Sequence, residues 1–179
     1  RGPLPGPAPS ISRVLRTFFT NSFFVFTFPG EVRTPNLSPE DRIRKELPYE
    51  TAAHIKARSK ATRDVSPMLF PNGRFIKARY PGNDMYNINL MGVSEAYANG
   101  GQVEMRLGRF IADEESRRKA PVAVIGADIE KGLFGRIDPS GKTIVVEGHQ
   151  FLVIGTMLPP AEAFFGYIDN RILLPLSEL

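Results

Sequence analysis

Residues 121–157, PVAVIGADIEKGLFGRIDPSGKTIVVEGHQFLVIGTM, constrain the fold more than any other stretch of the chain. Pro121 opens an apolar run, Val122 to Ile125, that Gly126 ends, which reads as a short buried strand. From Ala127 to Phe134 the apolar residues recur at helical spacing: Ile129, then Leu133 with Phe134 beside it. Asp128 falls at the end of that helix where the backbone dipole favours negative charge. Gly132 and Gly135 bracket Leu133 and Phe134 and stop the helix. Asp138-Pro139-Ser140-Gly141 reads as a turn: Pro139 presets φ at its second position, Asp138 caps it, and Gly141 accepts positive φ. Residues 143–147 are β-branched, Gly148-His149 turn the chain, and 151–155 return as a partner strand. The expected unit is strand, short helix, hairpin.

The same stretch contains a false phosphate-binding signature. Gly141-Lys142-Thr143 looks like the end of a P-loop, but that motif needs a glycine where Arg136 stands, and Gly135 comes one residue too early. A strand pattern follows, so no helix N-terminus faces a phosphate. Lys142 reads as a solvated residue leaving a turn.

A chain of 179 residues, 42% of them hydrophobic, can bury the core of one domain or of two small lobes. It has no cysteine, which excludes disulfides, thiolate metal sites and cysteine nucleophiles. The net charge is +4, with Lys and Arg dispersed among acids. The basic runs at 42–45, 56–63 and 117–119 each neighbour Asp or Glu and read as solvated faces. Arg1 in place of Met marks a processed chain or a fragment, and the Pro/Gly-rich residues 1–10 read as linker. The apolar stretch that follows is interrupted by Arg16, Thr20 and Asn21 and falls short of the roughly 20 residues that cross a bilayer. Within it, 23–28 reads as a strand apolar on both faces, with a membrane-surface role for its aromatics as the alternative.

Further on, 34–48 is a polar loop, and 49–61 a helix with a thin stripe of Ala52, Ile55 and Ser59. Residues 65–70 and 74–80 flank Pro71-Asn72-Gly73, a strong hairpin signal. A second turn at 81–84 leads into a strand over 85–93, where Tyr86, Ile88 and Leu90 alternate with polar neighbours. Ser94 caps a helical turn reaching Tyr97, which Asn99-Gly100-Gly101 releases.

The chemistry-bearing residues are sparse. His54 and His149 are the two histidines, one on a helix expected to be exposed and one in a turn, neither with a nucleophile or carboxylate at readable spacing. Asp113, Glu114 and Glu115 lack the loop pattern of a calcium site and read as the first turn of a helix that Arg117, Arg118 and Lys119 close. Arg109 is expected to be semi-buried and paired with an acid of that cluster.

Taken in order, GRFIADEE at 108–115, the 121–157 stretch and RILLPL at 171–176 resemble the MacB-like periplasmic core domain found in ABC transporter permeases of the MacB/FtsX-like class. The likeness is clear over 85–176 and weaker over 20–84. The residues that carry it are Gly108, Arg109, Gly126, Leu133, Phe134, Gly135, Pro139, Gly141, Lys142 and Gly155. The resemblance implies an α+β fold of two lobes, a mixed α/β porter-like lobe (about 21–93) and a β-rich sabre-like lobe (about 94–160), with a return strand at 171–176 and a linker or stalk at 1–20. It implies a non-catalytic domain with no cofactor or metal, on the extracytoplasmic face of a parent anchored in the bacterial inner membrane. The implied partners are a cytoplasmic ABC ATPase subunit or domain and a periplasmic adaptor or substrate, with a dimer in the intact transporter and no nucleic acid. The family usually continues past the "LPL" strand with another helix and strand. The competing reading is a free-standing β-rich module, OB-like, for nucleic acid or sugar. It rests on Phe75, Lys77 and Arg79 sharing one strand face while Tyr80 falls on the other.

Overall fold

The computed structural model describes residues 48, 50–71, 76–100, 103–159 and 169–178. The linker at 1–20, the expected strand at 23–28, the loop up to 47, Asn72-Gly73 and Phe75 lie outside the described residues. Among the described residues the arrangement is mixed α/β, with a mixed sheet and few helices. The strands are β1 (Met68–Leu69), β2 (Ala78–Tyr80), β3 (Asn83–Met85), β4 (Asn89–Val93), β5 (Met105–Gly108), β6 (Val122–Ile125), β7 (Thr143–Val146), β8 (His149–Met157) and β9 (Arg171–Pro175). The helices are α1 (Glu50–Arg58), α2 (Asp113–Arg117) and α3 (Ala127–Phe134), with 3-10 turns at Glu95–Gly100 and Leu176–Glu178.

All nine strands join one sheet in the order β1-β4-β9-β6-β8-β7-β2-β3, with β5 also on β8. The β4/β9 and β6/β8 pairs are parallel and the others antiparallel. The two ends of this order do not pair with each other, so among the described residues the sheet is open and not an OB-like barrel. Strand β8 is the branch point: residues 149–152 pair with β7 and 155–157 with β5, while β6 runs along the opposite edge.

Strand β6 is apolar at every position because both its faces are covered, and successive side chains go to opposite sides. Leu90, Ala123, Ile125, Val153, Ile172 and Leu174 join α3's Ile129, Leu133 and Phe134 in one core. Met91, Val93, Val124, Leu173 and Met157 meet Tyr97 and Ile111 in a second. A register shift sets Val153 against Ala123 but Gly155 against Val124. The extra residue reverses the alternation, which is how Val153 serves the first core and Met157 the second.

Helix α3 occupies the expected range, with Gly126 as its N-cap and Gly135 as its C-cap. Three expectations are corrected. Strand β1 pairs with β4, Met68 opposite Val93, and β2 pairs with β3 and β7, so 65–70 and 74–80 are not a hairpin. A turn signal specifies a local reversal, whereas Ala78, wholly buried, goes where its apolar neighbours are. The strand expected over 85–93 breaks at Asn87, whose φ is +57°, leaving Tyr86 exposed while Ile88 and Leu90 are buried. The hairpin turn is Glu147-Gly148, both at positive φ, so His149 starts β8 instead.

The turn before β7 is likewise shifted by one residue. Lys142 N–H donates to the Pro139 carbonyl at 3.0 Å, which places Pro139 first in the turn and Gly141, at φ +72°, third. Asp138 Oδ1 accepts from Ser140 N–H at 2.9 Å, and that bond holds its carboxyl below the usual carboxylate range. Nothing lies within 4 Å of a Cβ added at Gly141, so a substitution there costs backbone strain alone. Gly141→Val is expected to destabilise by about 1–2 kcal/mol, read as a melting temperature several degrees lower. An unchanged melting temperature would contradict the turn.

Candidate functional site

The ten motif residues do not converge on one pocket: Gly108, Arg109 and Gly155 lie where β5 meets β8, Gly126, Leu133, Phe134 and Gly135 belong to α3 and its caps, and Pro139, Gly141 and Lys142 belong to the turn before β7. Gly108 and Gly155 stand opposite each other where β5 crosses β8. A Cβ on Gly108 would collide with the Ile154 carbonyl, and one on Gly155 with the Arg109 carbonyl oxygen, both of them backbone. Gly108 also sits at φ +69°. Glycine at both positions lets the two backbones approach this closely. Arg109 N–H then donates to the Ile154 carbonyl at 3.1 Å and continues the pairing.

Arg109 clamps the start of α2. Its two guanidinium nitrogens reach Glu115 at 2.7 and 2.8 Å, while Glu115 Oε2 accepts from Ala112 N–H at 2.9 Å. This is the expected pair, but the Arg109 side chain is 58% exposed, not semi-buried, because it lies over the surface of the turn. The Arg109 guanidinium holds the Glu115 carboxyl below its ordinary value of 4.5, with burial opposing. With a lowered folded pKa, the stabilisation is complete above the unfolded value and is lost as pH falls through the folded one. Arg109→Ala is therefore expected to cost about 0.5–1 kcal/mol at neutral pH. The difference from wild type should close in urea titrations taken well below about pH 4; a difference unchanged in acid would contradict the pairing.

The other acids of that cluster are committed to their own helix: Asp113 pairs with Arg117, and Glu114 with Arg118 at 2.5 Å. His54 and His149 are both exposed and sit on separate elements. Among the described residues no three of His, Cys, Asp and Glu come together as a metal site. Lys142 is exposed and leads into β7, not into a helix. Leu133 and Phe134 are buried, and the Phe134 ring lies 4.3 Å from that of Tyr80. Pro139 is buried beneath the turn.

Three ion-pair groups were not legible in the sequence. Lys77 and Arg79 both bind Asp84, at 2.6 and 2.9 Å across the β2/β3 turn, and Lys77 lies 4.9 Å over the Tyr86 ring. The two cations, Lys77 first, lower the Asp84 pKa. They are the cations that the nucleic-acid reading needed free, and each is held by a carboxylate. Arg106 pairs with Glu130 of α3. Asp169 and Arg171 form a buried pair at 2.6 Å, their side chains 1% and 12% exposed. This pair is tied to α3: Asp169 N–H donates to Asp128 Oδ2 at 2.6 Å, and Gly126 N–H donates to the Arg171 carbonyl at 2.8 Å. The available signal was an acid two residues before an arginine at the mouth of an apolar strand.

Residues 10–179 match the family described as MacB-like periplasmic core domain. The chain is 31% identical over 147 residues to the macrolide export ATP-binding/permease protein MacB of Bdellovibrio bacteriovorus, covering 82% of this chain and 22% of that protein. It is 35% identical over 115 residues to the protein of the same name from Rhodospirillum rubrum, covering 63% and 17%. The chain thus spans about a fifth of the length of these curated relatives. Among solved structures, it shares its fold with the periplasmic region of MacB from Actinobacillus actinomycetemcomitans, at TM-score 0.62, 18% identity and coverage of 79% and 62%. The extracellular domain of the noncanonic ABC-type transporter YknZ from Gram-positive bacteria is similar, at TM-score 0.62, 20% identity and coverage of 73% and 63%.

Proposed function

We propose, since this chain belongs to the MacB-like periplasmic core domain family, that it is the non-catalytic extracytoplasmic domain of an ABC transporter permease. In this role it carries motion driven by a cytoplasmic ATPase to a periplasmic adaptor or substrate, within a dimer of the intact transporter. The parent is anchored in the inner membrane. The observation that supports this reading best is mechanical. One sheet runs from β1 to β3, with one core along a face and a second core on the other face around β4, β9, β6 and the end of β8. Such a body passes on a displacement without absorbing it, because packed interiors are stiff. The division into porter-like elements at about 21–93, sabre-like elements at about 94–160 and a return strand at 171–176 belongs to the same proposal.

No helix among the described residues is long and apolar enough to cross a membrane. The parent reading frame tests the proposal. It is expected to encode an apolar span of about 20 residues before residue 1 and further spans after residue 179. A frame without such spans would overturn the proposal.

A further inference from the structure

Residues 51–63, TAAHIKARSKATR, lie between the exposed acids Glu50 and Asp64 and contain His54, Lys56, Arg58, Lys60 and Arg63 with no acid among them. All five are exposed, and among the described residues no carboxylate pairs with any of them. That sets the segment apart from Lys77, Arg79, Arg106, Arg109, Arg117, Arg118 and Arg171, each held by an Asp or Glu. Helix α1, which supplies most of the segment, buries none of its residues. It therefore presents its charges without being committed to the core. The chain then enters the sheet where Ser66 Oγ meets Ser94 Oγ at 3.1 Å and Met68 pairs with Val93. Val93 in turn stands opposite Pro175, so the segment joins the sheet at the end through which β9 carries the chain on to Leu176–Glu178.

We infer that residues 51–63 form a docking surface for anionic lipid headgroups, an inference that rests on the membrane-anchored reading above. Four lysines and arginines in eight residues, none paired with a carboxylate among the described residues, match the charge of an anionic bilayer, and each cation near such a surface raises affinity about fivefold. The exposed apolar positions of α1 are Ala53 and Ala57, which offer nothing to insert. Binding is thus electrostatic and reversible, confined to about a Debye length from the surface. The segment has no aromatic residue, so it lacks the stacking platform that single-stranded nucleic acid requires.

The test is flotation of the 179-residue chain with vesicles. Association is expected with vesicles of mixed phosphatidylglycerol and phosphatidylcholine, not with phosphatidylcholine alone, and is lost as salt rises from about 50 to about 300 mM. The triple variant Lys56→Glu, Arg58→Glu, Lys60→Glu is expected to bind more than about tenfold less tightly. Because α1 buries nothing, its circular dichroism and melting should match wild type. A control with the same change of net charge at exposed positions, Lys131→Glu, Arg136→Glu, Lys142→Glu, should still float. No association with anionic vesicles would overturn the inference. Equal loss in both triple variants would reduce it to net charge and overturn it too. Retention by a single-stranded oligonucleotide while vesicles are ignored would reassign the surface to nucleic acid. None of these outcomes touches the permease reading, which the flanking spans decide independently.

Discussion

Leu133→Ala is expected to destabilise the domain by about 2–5 kcal/mol, within the range for a fully buried leucine whose site cannot collapse. Leu133 is 0% exposed and lies in the core that α3 forms with the central strands. Its surroundings have little freedom to fill the void. Its core also holds Ile125 and Ile172, both fully buried in strands paired along both edges. The Leu133 carbonyl is tied to Asn83 Nδ2 at 2.8 Å, which fixes the last turn of α3 against β3. The measurement is the urea midpoint at unchanged slope. A loss below about 1 kcal/mol would mean that α3 does not seat on the sheet as described.

Asp169→Ala is expected to cost about as much, roughly 3–5 kcal/mol, by a different route. It removes the carboxylate that Arg171 Nε binds at 2.6 Å, in a pair whose side chains are almost wholly shielded from water. A buried charge deprived of its partner has lost the attraction that offset its desolvation. The backbone link from Asp169 N–H to Asp128 Oδ2 remains, so the helix stays tethered while Arg171 loses the Asp169 carboxylate. Asp169→Asn keeps the shape but removes the negative charge, so it should lose nearly as much, which separates the electrostatic effect from a packing defect. Retention of most of the stability in Asp169→Asn would contradict the ion-pair account.

The parts of the fold that local chemistry determines were legible in the sequence. The helix at 127–134 combines a helical apolar period with glycine at both ends, and it forms over that range. The partnership of Arg109 with the acids that follow was readable because donor and acceptor lie six residues apart around one helix start. Errors arose where long-range burial overruled local signals. Asn72-Gly73 suggested that 65–70 and 74–80 pair, yet β1 goes to β4 and β2 to β7, strands in opposite halves of the sheet order. The break at Asn87 was hidden in an alternation that looked continuous, because asparagine tolerates positive φ without any marker in the pattern. The branch at β8 was hidden for a similar reason. A one-residue bulge beside Gly155 changes which face Met157 serves, and its single mark in VIGTM is the isolated glycine. Of the ten motif residues, Gly108 and Gly155 were recognisable as a pattern, but their role needs two backbones brought together from 47 residues apart in the chain.

The central claim is that this domain stands on the outer side of a membrane, and thiol labelling of the parent in intact cells tests it most directly. The chain contains no cysteine, so Ile137→Cys, at a residue 52% exposed, places a single accessible thiol within it. A membrane-impermeant maleimide is expected to label that cysteine in spheroplasts without lysis, and to the same extent after lysis. Labelling that appears only once the membrane is broken would place the domain in the cytoplasm and contradict the account.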